Sequence, residues 1–188
     1  VKDVDLLKED SAYVFVMVRV NPHDSDNPMI IRDSIQFEIN GQYQYVQLAA
    51  IGQDVYLWKG KTIAQDTILT GERPFLIYDS LVINKNVTLN LKENVRMYFH
   101  DKAGVKVLGT INAKGTREEP VIFRGDRTDN LSPKWPYDNI PGQWEGMIVD
   151  SLSFNNYFEH FHLRNSVNGI IFNPSNTTAT KAAFKDAI

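Results

Sequence analysis

Short apolar runs recur through the middle of this chain about every eight to ten residues, and this recurrence restricts its fold more than any other feature. Leu81-Val82-Ile83 is followed by the polar Asn84-Lys85-Asn86. Val87, Leu89 and Leu91 alternate and give way to Lys92-Glu93-Asn94. Val95, Met97 and Phe99 alternate and stop at His100-Asp101-Lys102-Ala103-Gly104. Val105 and Val107, then Ile111 and Ala113, then Val121-Ile122-Phe123 continue the series, with Gly109, Gly115 and Gly125 between and after them. Alternation places the apolar side chains of each run on one face of a strand. Such strands can build a sandwich, a barrel or a solenoid. The strands are very short, the turns are often not two-residue hairpin turns, and no long amphipathic stretch breaks the series. All three features favour a solenoid. In a β-helix each strand pairs with its counterpart in the next coil, so turns can vary while the inward apolar stack continues.

The first third of the chain reads differently. Residues 13–20 are β-branched and aromatic and predict a strand. Asn21-Pro22-His23-Asp24-Ser25-Asp26-Asn27-Pro28 is a dense turn cluster. Ile31, Asp33, Ile35, Phe37 and Ile39 then share one face of an alternating run, and Asn40-Gly41 is a strong hairpin signal. On the returning run Val46 and Leu48 share a face. Residues 11–58 therefore predict three or four antiparallel strands, which need partners because one hairpin alone is marginal in water. Residues 128–142 hold Pro133, Pro136, Pro141 and Gly142 with Trp135 and Tyr137, and predict a loop projecting from the coil. Regular strands are expected to resume at Trp144, over 158–163 and over 169–172. Residues 59–80 are expected to cap the open edge of the first coil, with the antiparallel strands packed on that end.

The net charge is −3 and the pI about 5.8, so no basic field attracts nucleic acid. No 18-residue apolar run exists, so no transmembrane segment is expected. Cysteine is absent, which excludes zinc-thiolate sites, cysteine nucleophiles and disulfides. Val1 in place of Met, and an abrupt stop over 184–188, read as the ends of a piece of a longer protein, with room for a lipid anchor upstream.

From about Trp58 the chain resembles the N-terminal coils of right-handed parallel β-helix proteins of the pectin-lyase-like superfamily, and within it large envelope lipoproteins of gut-type bacteria. The residues that carry the resemblance are Ser80-Leu81-Val82-Ile83, Val87-Thr88-Leu89, Val95-Arg96-Met97-Tyr98-Phe99, Gly104-Val105-Lys106-Val107-Leu108-Gly109-Thr110, Ala113-Lys114-Gly115-Thr116, Pro120-Val121-Ile122-Phe123, Pro141-Gly142-Gln143-Trp144-Glu145-Gly146-Met147 and Asn165-Ser166-Val167-Asn168-Gly169-Ile170. Asp33-Ser34-Ile35-Gln36-Phe37, Asn40-Gly41 and 47–55 resemble the closing strands of an immunoglobulin-like domain. The expected fold class is all-β: a partial immunoglobulin-like sandwich over residues 1–58, then a right-handed parallel β-helix over 59–188.

Candidate sites are sparse. Trp135, Tyr137 and Trp144 surround the Pro-rich loop, and exposed aromatics can stack on sugar rings, so these three are the candidate carbohydrate-binding residues. The competing reading packs Trp144 inward at the start of a coil. His160 and His162, two apart on one strand, would point the same way and could clamp a metal. Without a visible third ligand, outward polar positions are the commoner reading, and no metal or cofactor is expected. His100-Asp101 reads as a turn, since a general acid–base pair needs a partner across a cleft. Asp126, Asp129, Asp138 and Asp150 are spread around a loop and show no repeated calcium-ligand pattern. The clustered Asp pairs and Gly-His-Gly turn of galacturonan hydrolases are missing. Asn155, Asn156, Asn165 and Asn168 read as structural asparagines of a solenoid. Asn86-Val87-Thr88 and Asn176-Thr177-Thr178 match the glycosylation pattern, which in a bacterial-type chain reads as chance.

The function these readings imply is that of a non-catalytic protein of the bacterial cell envelope, on the outer surface or secreted. Its β-helix would be a stalk or adhesive surface contacting polysaccharide or a host or partner protein. The alternative is a lyase or hydrolase of acidic polysaccharide with its site on coils outside this chain. Fold alone cannot choose between them.

Overall fold

The computed structural model describes residues 11–18, 29–132 and 134–188. Its first two strands, β1 (Met29–Ile39) and β2 (Gln42–Gly52), form an antiparallel hairpin in which Ile35 faces Val46 and Asp33 faces Leu48. The turn is the expected one. Asn40 and Gly41 both have positive φ, 51° and 74°, as a two-residue turn between right-twisted strands requires. The hairpin is a sheet of its own and pairs with no other described strand. The further strand expected over 13–20 is not formed in the described part of that stretch. Residues 11–18 carry no strand, with Phe15 at 95 % exposure. The apolar sequence suits a strand, but a strand requires a ladder, and no described strand pairs with it. The turn cluster 21–28 lies outside the described residues.

From Tyr56 onward the chain winds through five coils. The first holds β3 (Tyr56–Ile63) and β4 (Thr67–Leu69). The second holds β5 (Phe75–Ile83) and β6 (Thr88–Leu91). β7 (Arg96–Phe99), β8 (Gly104–Val107) and β9 (Thr110–Lys114) make the third. The fourth starts with β10 (Val121–Gly125) and leaves the coil for β11 (Asn130–Ser132), β12 (Trp135–Pro136) and a 3-10 turn at Tyr137–Asn139. It returns as β13 (Gly146–Val149) and β14 (Asn156–Glu159). β15 (Phe161–Leu163), β16 (Ile170–Phe172) and β17 (Ala182–Lys185) make the fifth.

Equivalent strands stack in parallel. Along the first face Tyr56, Phe75, Met97, Phe123 and Leu163 stand in register. Along the second, Ile63, Ile83, Val107, Val149 and Phe172 do. Along the third, Leu69, Leu91, Ala113, Phe158 and Phe184 do. β3 and β5 bend and serve both the first and second faces, pairing with β7 through one half of β5 and with β8 through the other. The result is an all-β chain whose parallel, curled sheet fits a parallel β-helix. The interior is apolar and closed: Ile77, Met97, Phe99, Ile111, Phe123 and Val149 are all fully buried.

The bends between faces fall on residues that tolerate the left-handed backbone. Asp79, Asn86, Asn94, Asp101, Asn155, His160 and Asn165 all have φ between 43° and 64°. Asn and Asp visit that region more readily than other side chains. Two corrections follow from this winding. Residues 59–80 do not cap the first coil. They form most of it and the start of the second, because Thr62, Val82 and Lys106 are successive members of one ladder. Strand β3 also begins at Tyr56 and runs through the expected junction between 1–58 and 59–188. The run 158–163 is likewise not one strand. His160, at φ 43°, turns the chain between β14 and β15, so Phe158 and Phe161 both point inward despite their odd spacing.

Candidate functional site

The largest departure from the coil is the segment 126–145, inserted where the first face passes to the second. Its base is braced by the coil. The Gln143 amide donates to the carbonyls of Tyr137 and Ile140, the latter at 2.8 Å. From the next coil, the Asn165 amide donates to the carbonyls of Asp138 (2.8 Å) and Ile140 (3.0 Å). Gly125, at the end of β10, makes room for this brace: a Cβ there would stand 2.3 Å from Gln143 Oε1. Asp138 sits between two guanidiniums of the first face, Arg124 at 2.9 Å and Arg164 at 3.5 Å.

Further out, the Arg127 guanidinium binds Asp129 through two hydrogen bonds, at 2.7 and 2.6 Å, and lies over the Tyr137 ring at 4.0 Å. A fork on a carboxylate is a strong geometry, and a cation over a ring face adds attraction. The Asp129 carboxyl is held below its usual range by the Arg127 hydrogen bonds, and the Arg127 guanidinium is raised in turn. At the tip, Trp135 is 64 % and Leu131 63 % exposed.

The three candidate aromatics therefore separate. Trp135 faces outward, and Tyr137 is half-buried under Arg127. Trp144 is a core residue. Its ring is stacked on Phe99 at 4.2 Å and 10°, and its indole N–H donates to the Arg164 carbonyl at 2.7 Å. Nothing is left of Trp144 for a ligand to touch, so it drops out of the carbohydrate-binding set.

The other candidates are also located. The Asp126 carboxylate accepts from His100 Nδ1 at 2.7 Å, beside the Tyr78 ring stacked on His100 at 4.3 Å. Asp129 and Asp138 are committed to arginines as above. Asp150 Oδ1 accepts from the Leu152 amide at 3.1 Å. The four aspartates thus have four separate sets of partners and do not converge. His160 lies 3.9 Å from Asp186 at the bend, whereas His162 is on β15. No group of three or more His, Asp and Glu among the described residues could hold a metal ion. Burial holds the His162 ring below its ordinary pKa, with Arg164 and His160 adding to the effect.

Of the asparagines, Asn156 is buried and does the most. It accepts from the Ile111 amide at 2.9 Å and donates to Ser153 Oγ and the Lys181 carbonyl at 3.0 and 2.9 Å. Sequence reasoning missed the pivotal roles of Arg124, Arg127 and Gln143. Arg124 gave a signal, since it occupies an outward position on β10 facing the loop. The stacking of Arg127 on Tyr137 depends on the loop's path and has no local signature.

No family model matches the chain, and no solved structure matches it. The chain is similar to a segment of Protein bark beetle of Drosophila melanogaster, with 31% identity over 164 residues, covering 73% of this chain and 5% of that protein. It thus spans about one-twentieth of the length of the curated relative it matches.

Proposed function

We propose that the chain is a non-catalytic module working outside the cytoplasm, a stiff β-helical support that holds the 126–142 loop against a polysaccharide or a partner protein at a cell surface. The observation that supports this most is the contrast between a sealed interior and a braced loop tipped by Trp135. A filled coil offers no ligand a path along its axis. An exposed indole, on the same loop as the Arg127–Tyr137 stack, offers an apolar face beside a hydrogen-bonding edge, which is what a sugar ring or a protein hot spot uses. The carboxylates near the loop are engaged by arginines or histidine and are not paired across a cleft, which speaks for binding over glycoside cleavage.

The finer reading of the fold, a right-handed β-helix of the pectin-lyase-like kind preceded by an immunoglobulin-like domain that contributes β1 and β2, rests on the resemblance of the sequence. The setting that resemblance implies is a bacterial envelope, with a lipid anchor upstream. The likeness to a Drosophila segment admits an animal source as well, and the work of the module is the same in both.

Affinity electrophoresis through gels containing acidic and neutral polysaccharides tests the proposal. Retardation without clearing, reduced several-fold by Trp135→Ala, is the expected result. Clearing of the polysaccharide would overturn the non-catalytic reading. Retardation indifferent to Trp135→Ala would move the contact away from the loop. Absence of retardation in every gel would leave a protein partner, to be sought with the same variant as control.

A further inference from the structure

The edge between the second and third faces differs chemically from the edge that carries the loop. In coil two it is formed by the turn from β5 to β6, and in coil five by residues 173–181, from β16 to β17. Each of these turns holds an Asn-X-Thr triplet: Asn86-Val87-Thr88 in the first and Asn176-Thr177-Thr178 in the second. Val87 is 8 % exposed and packs inward. With Asn86 at φ 61°, this turns the Asn86 side chain to solvent. The second triplet is wholly exposed and belongs to no strand, and Thr177 Oγ1 accepts from the Ala179 amide at 3.2 Å.

The carboxamides of Asn86 and Asn176 make no hydrogen bond among the described residues. Those of Asn94, Asn112, Asn156, Asn165 and Asn168 do, and they stitch the coils together. Beside Asn86 lies a shallow groove of about 240 Å³, lined in part by Leu108, Leu152, Phe154 and Asn155. Its mixed lining, with Lys85 and Thr110 beside the apolar side chains, gives the first sugars of a chain on Asn86 both stacking and hydrogen-bonding surface. A third match, Asn130-Leu131-Ser132, falls in the β11–β12 hairpin with Ser132 paired opposite Trp135, and is not part of this edge.

We propose that Asn86 and Asn176 carry N-linked glycans, making this edge a sugar-covered one. The Asn-X-Ser/Thr pattern marks an acceptor in secreted proteins, and the likeness to a segment of an animal protein favours a eukaryotic source, where this modification is made. In the transfer a bond forms between the asparagine Nδ2 and C1 of the first sugar. The C1–O bond to the diphosphate of a lipid-linked oligosaccharide breaks, and the lipid diphosphate leaves with the electron pair. One Nδ2 proton passes to the transferase. The threonine at the third position is part of what the transferase recognises. The inference rests on that part of the preceding proposal which places the chain outside the cytoplasm.

The test is peptide mapping of the native protein after peptide N-glycosidase in heavy-oxygen water. Heavy-labelled aspartate is expected at positions 86 and 176, with a matching fall in intact mass. In Thr88→Ala and Thr178→Ala variants made in the same cells, the corresponding label is expected to vanish although the asparagine remains, which separates sugar removal from spontaneous deamidation. Label at either position supports a glycan-bearing edge. Unmodified asparagine at both, in protein recovered from the cell surface or medium, overturns this proposal and leaves the surface reading standing. Protein found only in the cytosol overturns both.

Discussion

Trp144 illustrates how one residue can look like a ligand contact and be a core element. Its ring lies flat on Phe99, and its N–H is satisfied by Arg164. Trp144→Ala removes a large buried ring and is expected to cost about 3–5 kcal/mol in urea unfolding. Trp135→Ala, at an exposed tip, is expected to change stability by less than about 0.5 kcal/mol. Equal costs would mean that the two indoles are misassigned. His162 gives a pH signature. Burial disfavours its charged form, so the folded chain binds fewer protons than the unfolded one between the two pKa values. Stability is expected to fall as pH drops below about 6.5, and to level off once the folded ring is also protonated. His162→Gln should flatten that part of a stability–pH curve. Asp129 and Glu159, both lowered by hydrogen bonds from Arg127 and Lys185, lose their contribution only at more acid pH. An identical slope in wild type and variant between pH 5 and 6.5 would rule out His162 as its source.

At the scale of elements, the turns carry the sharpest constraints. Gly109, between β8 and β9, lies against the preceding coil. A Cβ there would stand 2.2 Å from the Val87 carbonyl and 2.3 Å from that of Asn84. Both oxygens are engaged: the Val87 carbonyl accepts from the Thr110 amide of the next coil at 2.9 Å, and the Asn84 carbonyl accepts from the Val87 amide across the turn at 3.3 Å. Gly109→Ala is therefore expected to destabilise by more than about 2 kcal/mol, well above the cost of about 1 kcal/mol of an ordinary unfavourable change. Thermal unfolding of the variant beside Gly60→Ala, which meets no atom within 4 Å but has φ 56°, separates crowding from backbone strain. The β1–β2 hairpin sits at the other extreme. It has a well-formed turn but no third strand among the described residues, and Tyr43, Tyr45 and Val46 are at least half exposed. Isolated hairpins are marginal. Its amides are expected to exchange with deuterium faster than those of β7 and β8.

The whole molecule behaves as a stack in which each coil touches only its neighbours. Coil three is covered on both sides, by β5 and β6 below and by β10, β13 and β14 above. Opening it must break two ladders on each face, while opening coil one breaks one. Native-state hydrogen exchange is accordingly expected to be slowest in β7, β8 and β9 and to quicken toward β4. Uniform protection across all coils would indicate a single cooperative unit in place of a graded solenoid. The same stacking braces the base of the loop. Residues 126–145 are held by Asn165 and Arg164 of the next coil as well as by Arg124 of their own.

Much of this architecture was legible in the residues. Inward alternation at Leu89 and Leu91, Val95 to Phe99, and Val105 and Val107 encodes strands with one buried face, and that pattern survives in any fold that buries it. Asn40-Gly41 determined its own turn, because the backbone those two residues favour is the one the hairpin needs. The position of the loop was legible too, from its prolines. What the sequence left open is which strand pairs with which. A parallel ladder forms between residues some twenty or more positions apart, such as Phe75 with Met97, and no local signal records that distance. For the same reason residues 59–80 resemble a cap in sequence, although they supply the end of β3, all of β4 and the start of β5. Only the tertiary structure decided that His160 bends a run that looks continuous, that Trp144 turns inward while Trp135 stays out, and that the acidic residues of the loop are each answered by a separate partner. His100 with Asp126, Arg164 with Asp138 and Phe99 with Trp144 are all neighbours from another coil, and such neighbours exist only once the chain has wound.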